Sequence, residues 1–438
     1  MTVVVVGGGI SGLAAAYDVR AAGAEVIVLE KSPRIGGALR TTLIEGMRVE
    51  EGADAFLVRV PWAMWLAEKC GLDLVHPATG SALLYAGGRC RPLPAGTVLG
   101  IPSSLRSVRE VLTPLGLARA ALDRVLPASR LGEDPSVGAL VRARLGGQVV
   151  DRLVDPLLGG VYAGSADGLS VAMTVPALAR RHRSLLATAA ARSPEPSDAP
   201  VFASPAGGME ALPYAVAAGL DVRTDTTVTG LERAGTGWSV LVGPAGRQER
   251  IAADAVVLAV PAPAAARLLS GLVPDADLPS TAYASVAIVT LVYAPGTDTP
   301  DRSGVLVAPS AGTVAKALTF VGRKWAHPAD APVVVRASVG RFGAEADLQR
   351  TDDELAAAVA RDVATVAGIR AAPTANRVSR WGGALPQYAP GHLGRVAAVR
   401  ASLPAGVALA GAAYDGVGVP ACVRSGQTAA SELLALLG

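Results

Sequence analysis

Residues 2–30 begin with Thr2-Val3-Val4-Val5-Val6 and Gly7-Gly8-Gly9-Ile10-Ser11-Gly12, continue through Leu13–Ala22 and Gly23, and end with Glu25-Val26-Ile27-Val28-Leu29-Glu30. The β-branched run Thr2–Val6 predicts a parallel strand buried on both faces. The helix formers Leu13–Ala22 stop at Gly23, a residue suited to the left-handed position just past a helix. Between them Gly7, Gly9 and Gly12 match GxGxxG. Gly7 permits the tight turn, Gly9 lets the backbone approach a pyrophosphate, and Gly12 lets the helix lie close on the strand, with the positive helix end facing the phosphates. Glu30, at the end of the second strand, sits where a carboxylate accepts hydrogen bonds from an adenosine ribose. A GxGxxG alone is a weak signal. Strand, glycines, helix, second strand and terminal acid in that order predict a Rossmann-type dinucleotide unit.

Two further stretches favour FAD over NAD. Arg34-Ile35-Gly36-Gly37, then Arg40-Thr41 and Glu51-Gly52-Ala53-Asp54, follow the ribose acid. A Gly-Gly pair at that point resembles the second pyrophosphate-contacting turn of the glutathione-reductase-type FAD proteins, which NAD dehydrogenases usually lack. At the far end, Gly406–Ala410 predicts a strand that leads into Gly411-Ala412-Ala413-Tyr414-Asp415-Gly416-Val417-Gly418-Val419-Pro420 and a closing helix through Ala421–Leu437. Pro420 suits a first helical turn, where its missing N–H costs nothing. Gly416 and Gly418 let the backbone approach a flat ligand, and the positive helix end stabilises charge at the N1 and O2 of a reduced flavin. The expected cofactor is FAD.

The 438 residues exceed one compact core and suit two or three sub-domains. The expected class is α/β: a Rossmann-type, glutathione-reductase-like FAD domain, a mixed sheet-helix substrate domain and a helical insertion. Phe202 with Pro205-Ala206-Gly207-Gly208-Met209-Glu210, strand patterns at Thr227–Arg233, Trp238–Val242 and Arg247–Ala253, and the apolar run Asp254–Pro261 return to the first unit. That gives a discontinuous FAD-binding domain of residues 1–85, 201–265 and 376–438. Residues 86–200 read as a helical insertion that ends in the polar loop Arg192–Asp198, expected to be disordered. Residues 266–375 read as the substrate-binding domain. They hold strands Ser285–Tyr293 and Val333–Val339 and a helix opened by Thr351 and Glu354 at capping-box spacing and closed at Gly368.

Half of the chain is hydrophobic but only 4% is aromatic, and the net charge is +3. Both signs are spread along the chain, with Arg180-Arg181-His182-Arg183 as the one basic run. A nucleic-acid partner is not expected. Cys70, Cys90 and Cys422 are isolated and odd in number, and the four histidines are scattered, so neither a disulfide framework nor a metal site is expected. A cytoplasmic location is expected from that cysteine usage and from a start without a basic n-region or cleavage site. No stretch reads as a transmembrane helix. The mean hydropathy of +0.39 keeps peripheral membrane contact open.

Three blocks carry a family resemblance. Gly411–Cys422 is similar to the C-terminal signature of the bacterial FAD-dependent porphyrinogen oxidases, within the amine-oxidase-like flavoproteins. Asp155-Pro156-Leu157-Leu158-Gly159-Gly160-Val161-Tyr162-Ala163-Gly164 resembles a second signature, and Trp381 through Pro386-Gln387-Tyr388 to Gly391-His392 a third. With the N-terminal unit they span nearly the whole chain. The resemblance implies oxidation of a porphyrinogen to a porphyrin, with O2 reoxidising the flavin to give H2O2. Six hydrogens leave, so three two-electron cycles are needed. The branch without a membrane anchor is associated with coproporphyrinogen III, in the coproporphyrin-dependent haem route, and the membrane-associated branch with protoporphyrinogen IX. A GC-rich sequence of soluble type leans to the first. An amine or carotenoid oxidoreductase on the same scaffold and a non-catalytic carrier are the alternatives, and hand-off of product to a ferrochelatase is left open.

The FAD contacts so implied are Gly7, Gly9, Ile10, Ser11, Gly12, Glu30, Lys31, Arg34, Gly36, Gly37, Ala38, Leu39, Arg40, Gly52, Ala53, Asp54, Val228, Trp381, Gly411, Asp415, Gly418 and Val419. No residue is assigned as a catalytic base, because aromatisation supplies driving force. Substrate carboxylates require cations, and Arg59, Arg89, Arg91 and the 180–183 run are the candidates, since arginine forks match carboxylates. His392 and Tyr162 are further candidates, each with a structural alternative.

Overall fold

The computed structural model describes residues 1–127, 131–179, 183–192, 199–244, 246–275, 279 and 281–437. Arg180, Arg181 and His182, and residues 193–198 of the polar loop, lie outside them.

Strand Thr2–Val6 is the centre of a five-stranded parallel sheet, in the order Asp221–Arg223, Glu25–Leu29, Thr2–Val6, Ala255–Leu258, Val407–Leu409. Its lack of polar alternation has a direct cause. Val3 and Val5 face a core built with Leu13–Ala16 of helix Ile10–Ala21 and with Val423, Ala430 and Leu433 of helix Val419–Leu437. Val4 and Val6 face the other way, onto Trp238, Val240 and Ile251 of an antiparallel three-stranded sheet. That sheet is formed by Val228–Ala234, Gly237–Val242 and Glu249–Ala253. The predicted strands thus fall within two residues of where their patterns placed them.

The second large sheet has seven strands, in the order Ala375–Pro386, Tyr283–Tyr293, Val333–Val339, Ala315–Phe320, Gly304–Val307, Leu83–Ala86, Arg89–Pro92. One face packs under helix Asp352–Ala367 through Leu355, Val359 and Val363. The capping box of Thr351 and Glu354 forms, and Gly368 closes the helix at φ +77°. Strand Leu83–Ala86 straddles the limit drawn from sequence at 85/86. Arg89–Pro92 and Ala375–Pro386 likewise join this sheet from stretches assigned to its neighbours. The four-residue strands Leu83–Ala86 and Arg89–Pro92 carry too little alternation to reveal their sheet.

Helices Pro114–Ala121, Val137–Leu145, Asp155–Tyr162 and Leu185–Arg192 surround a separate core of Val141, Leu145, Leu153, Leu158 and Leu186. Inside it Arg144 and Asp123, 2% and 0% exposed, pair at 2.6 Å. The remaining guanidinium N–H groups donate to Asp123 O, Pro127 O and Arg183 O, and the second Asp123 oxygen accepts from Ser184 Oγ and Leu186 N. Removing one partner of such a pair strands the other charge without solvent. Asp123→Ala is expected to cost about 3–5 kcal/mol of stability, read from the denaturant midpoint; a loss below about 1 kcal/mol would contradict this account of the pair.

Candidate active site

The glycine loop is built by close approach. A Cβ on Gly7 would lie 2.5 Å from Ala259 O, and one on Gly12 would lie 2.0 Å from Gly7 O. Glu30 closes the loop from the side: Gly8 N donates to its Oε2 at 2.7 Å, and Ser32 N and Oγ donate to its Oε1 at 2.9 and 2.7 Å. Gly36 N donates to Gly8 O at 2.8 Å, so the Gly36-Gly37 turn, with φ +97° and +58°, lies beside Gly9. Ile10, Ser11 and Leu39 are buried there, while Lys31, Gly37 and Ala38 are exposed. Helix Ile10–Ala21 has no side-chain N-cap.

The segment after Phe202 folds back onto this loop. Arg34 pairs with Glu210 at 3.1 Å, and Thr41 N donates to the same carboxylate. Glu50 accepts from Thr41 Oγ1 and from Met209 N, and burial pushes its carboxyl up to about 7. Val228, half-buried, starts the first strand of the antiparallel sheet.

Glu51, 3% exposed, meets Arg40 at 2.7 Å and Arg377 at 2.8 Å, and its carbonyl accepts from Trp381 Nε1 at 2.7 Å. Asp54 pairs with Lys324 at 2.8 Å and Arg336 at 3.2 Å, while Arg336 also donates to Gly52 O. Burial alone would raise the Asp54 carboxyl; the two cations outweigh it and hold it below the usual range. Its side chain therefore faces the seven-stranded sheet. At the other end of the chain, Gly411 N donates to Ser425 Oγ at 2.8 Å, and Ser425 and Arg400 both donate to Asp415. Val419 is the first residue of the last helix.

These residues fit a phosphate-bearing flavin. Gly7 and Gly12 have no room for a side chain because protein fills the space. At Gly9, Gly411 and Gly418 an added Cβ would meet no atom within 4 Å. Those three open onto room that a ligand can occupy, and Gly9 and Gly411 do so from half-buried positions.

The face of the seven-stranded sheet opposite helix Asp352–Ala367 is partly bare. Ser379, Ile288, Ser338, Ala317 and Leu306 are paired in register across five strands. All five are half-buried in the middle of the sheet, whereas the next row (Val289, Ala337, Leu318 and Val305) is buried under the helix. Trp381 lies two residues from Ser379, on the same face. Helix Asp155–Tyr162 packs on strands Gly304–Val307 and Ala315–Phe320 and walls one end. Small and aliphatic side chains thus floor a space beside Trp381 that suits a flat, bulky molecule.

Tyr162 and Tyr388 meet edge to face at 5.8 Å, and the Tyr388 and His392 rings lie 4.8 Å apart. His392 is 2% exposed and burial lowers its pKa; burial pushes the Tyr162 hydroxyl up to about 12. Of the arginines named from sequence, those described form no cluster on the bare face. Arg59, Arg89 and Arg183 are exposed, and Arg91 donates within its own hairpin to Ala86 O. Among the described residues, buried Lys316 and Arg336 and half-buried Arg341 are cations near the bare face that sequence reasoning passed over. Each is a single charge in or just after an apolar strand, with no motif around it.

Comparison with known proteins agrees with this geometry. The profile of the flavin containing amine oxidoreductase family matches residues 10–434. A coproporphyrinogen III oxidase of Mycobacterium tuberculosis is 41% identical, with 99% of this chain and 97% of that protein covered. A coproporphyrinogen III oxidase of Bacillus subtilis is 33% identical over 99% and 98% of the two chains. A crystal structure from Exiguobacterium, provisionally described as a protoporphyrinogen oxidase, superposes with a TM-score of 0.87 at 31% identity, covering 99% of this chain and 98% of that one. The chain belongs to the flavin-containing amine oxidoreductase family.

Proposed function

We propose that this chain oxidises coproporphyrinogen III to coproporphyrin III with bound FAD, using O2 as acceptor and releasing H2O2 in the cytoplasm. The observation that carries the reading is the bare row Ser379–Ile288–Ser338–Ala317–Leu306 beside Trp381, in a chain 41% identical over its length to a coproporphyrinogen III oxidase. FAD is the form of flavin that uses every part of the cradle. The uncapped N–H groups at the start of helix Ile10–Ala21 and the Gly36-Gly37 turn would hold the pyrophosphate, and Glu30 the adenosine ribose. Trp381 and the Gly418-Val419 helix start would hold the ring system. Bound there, FAD supplies the two-electron acceptor for each of three oxidations.

The protein's own part is to exclude water and to set the substrate flat on the sheet face. No side chain is required as a strong base, because each oxidation moves the ring towards aromaticity. In domain terms, residues 1–85, 201–265 and 376–438 form the FAD-binding part and 86–200 the helical insertion. Residues 266–375 form the substrate part, whose sheet borrows strands from both neighbours. Protoporphyrinogen IX oxidation is the second reading, favoured by the provisional description of the Exiguobacterium structure.

Side-by-side kcat/KM on the two porphyrinogens in air separates the readings. The expected ratio favours coproporphyrinogen by about tenfold or more, a difference of ~1.4 kcal/mol in transition-state binding; the inverse ratio would select the second reading, and no acceleration of either would reject both. Glu30→Ala is expected to lose most of its flavin on dialysis, since the Gly8 loop and the ribose both lose their acceptor. An unchanged flavin-to-protein ratio would count against that role. Ser338→Trp should fill the floor, lowering porphyrinogen kcat/KM by about a hundredfold or more while flavin content stays at the wild-type level. Wild-type turnover in that variant would place the substrate elsewhere.

A further inference from the structure

Helix Asp155–Tyr162 meets strands Gly304–Val307 and Ala315–Phe320 around three ionisable groups: Asp155, Lys316 and Arg341. Lys316, 2% exposed, sits at a bulge in its strand, immediately before Ala317 of the bare row. Its ammonium uses one donor, to Gly340 O at 2.7 Å. Arg341 follows that glycine and uses one of its N–H groups, to Val307 O at 3.2 Å. Both cations keep donors to spare, Lys316 in the interior and Arg341 from a half-buried position. Asp155 is 9% exposed and already accepts from Ala166 N at 2.7 Å. Burial raises its carboxyl and lowers the Arg341 guanidinium, and burial, then Arg341, pushes Lys316 down to about 7. Arg341 has the Asp155 carboxylate beside it, whereas among the described residues Lys316 pairs with no acid, an imbalance that the interior tolerates poorly.

The surroundings make room for this imbalance. The guanidinium lies against Gly159, where a Cβ would come within 2.5 Å of its Nη1, and Gly160 faces Leu306, the last residue of the bare row. Glycines at these two positions of the Asp155–Gly164 block let the helix approach the cations closely, at the Ala317–Leu306 end of the substrate floor. We propose that Lys316 and Arg341 form a subsite for one carboxylate of the substrate, a ring propionate if the porphyrinogen reading is right, on which this inference rests. Arg341 supplies the fork and Lys316 the point charge. A carboxylate there balances the second cation and fixes which edge of the macrocycle points to the helical insertion. It is a specificity-determining contact: it acts on binding and orientation, away from the ring carbons that react.

The test compares binding of coproporphyrin III with that of its uncharged tetramethyl ester, by porphyrin fluorescence, to the flavin-loaded protein. Wild type is expected to prefer the acid by about tenfold or more. Lys316→Met should erase that preference while ester affinity stays within about threefold, and Lys316→Arg should keep it. Equal weakening of acid and ester by Lys316→Met, or an unchanged acid preference, would overturn the subsite; so would wild type binding neither ligand. Aerobic turnover of coproporphyrinogen on the same samples reads the activity separately. No turnover with an intact, Lys316-dependent acid preference would reject the oxidase and keep the carboxylate subsite.

Discussion

Helix Ile10–Ala21 is held at a separation that no side chain permits, on two sides at once. A Cβ on Gly12 would fall 2.0 Å from Gly7 O in the loop below, and a Cβ on Gly426 of the last helix would fall 2.0 Å from Ser11 O. Strand, first helix and last helix are therefore locked at one point, although they come from opposite ends of the chain. Everything between must leave this point and return to it. The glycine loop at 7–12 and the turn at 411–418 consequently open onto the same side, one suited to phosphate and the other to a flat ring.

The segments that follow the glycine loop are tied to the seven-stranded sheet by charge. Glu51 joins Arg40 to Arg377 and lends its carbonyl to Trp381; Asp54 joins Lys324 and Arg336 to the end of the same loop. Partly buried pairs of this kind add little net stability compared with apolar packing, but their geometry is demanding. Their consequence here is positional: Trp381 and the bare row Ser379–Leu306 are set at a fixed place relative to the glycine loop. The helical insertion then closes one end through Gly159 and Gly160, which let Arg341 and Leu306 come close.

Much of this was legible in the sequence wherever local chemistry is sufficient. The run Thr2–Val6 and the three glycines set the strand, the turn and the close helix, because each demand falls on one residue. Thr351, Glu354 and Gly368 marked a helix by its ends. Short strands such as Leu83–Ala86 and Arg89–Pro92 were not legible as part of the seven-stranded sheet, since Leu83–Ala86 pairs with a strand more than two hundred residues away and Arg89–Pro92 joins the sheet only through it. Two cations were missed for a similar reason. Lys316 and Arg341 look like isolated charges along the chain, and only the pairing of strand Ala315–Phe320 with Val333–Val339 makes them neighbours. The arginines that drew attention, Arg59 and Arg89, turned out to be exposed.

The central claim is that a porphyrinogen on the bare sheet face passes its electrons to flavin held by the two ends of the chain. Mixing the oxidised, flavin-loaded protein with coproporphyrinogen III in the absence of O2 and following both chromophores tests this most directly. The account predicts loss of the oxidised-flavin absorbance near 450 nm on the first turnover, with porphyrin absorbance growing only once O2 is admitted and repeated cycles can occur. Flavin that stays oxidised under anaerobic coproporphyrinogen, with the protein folded and its cofactor bound, would contradict it.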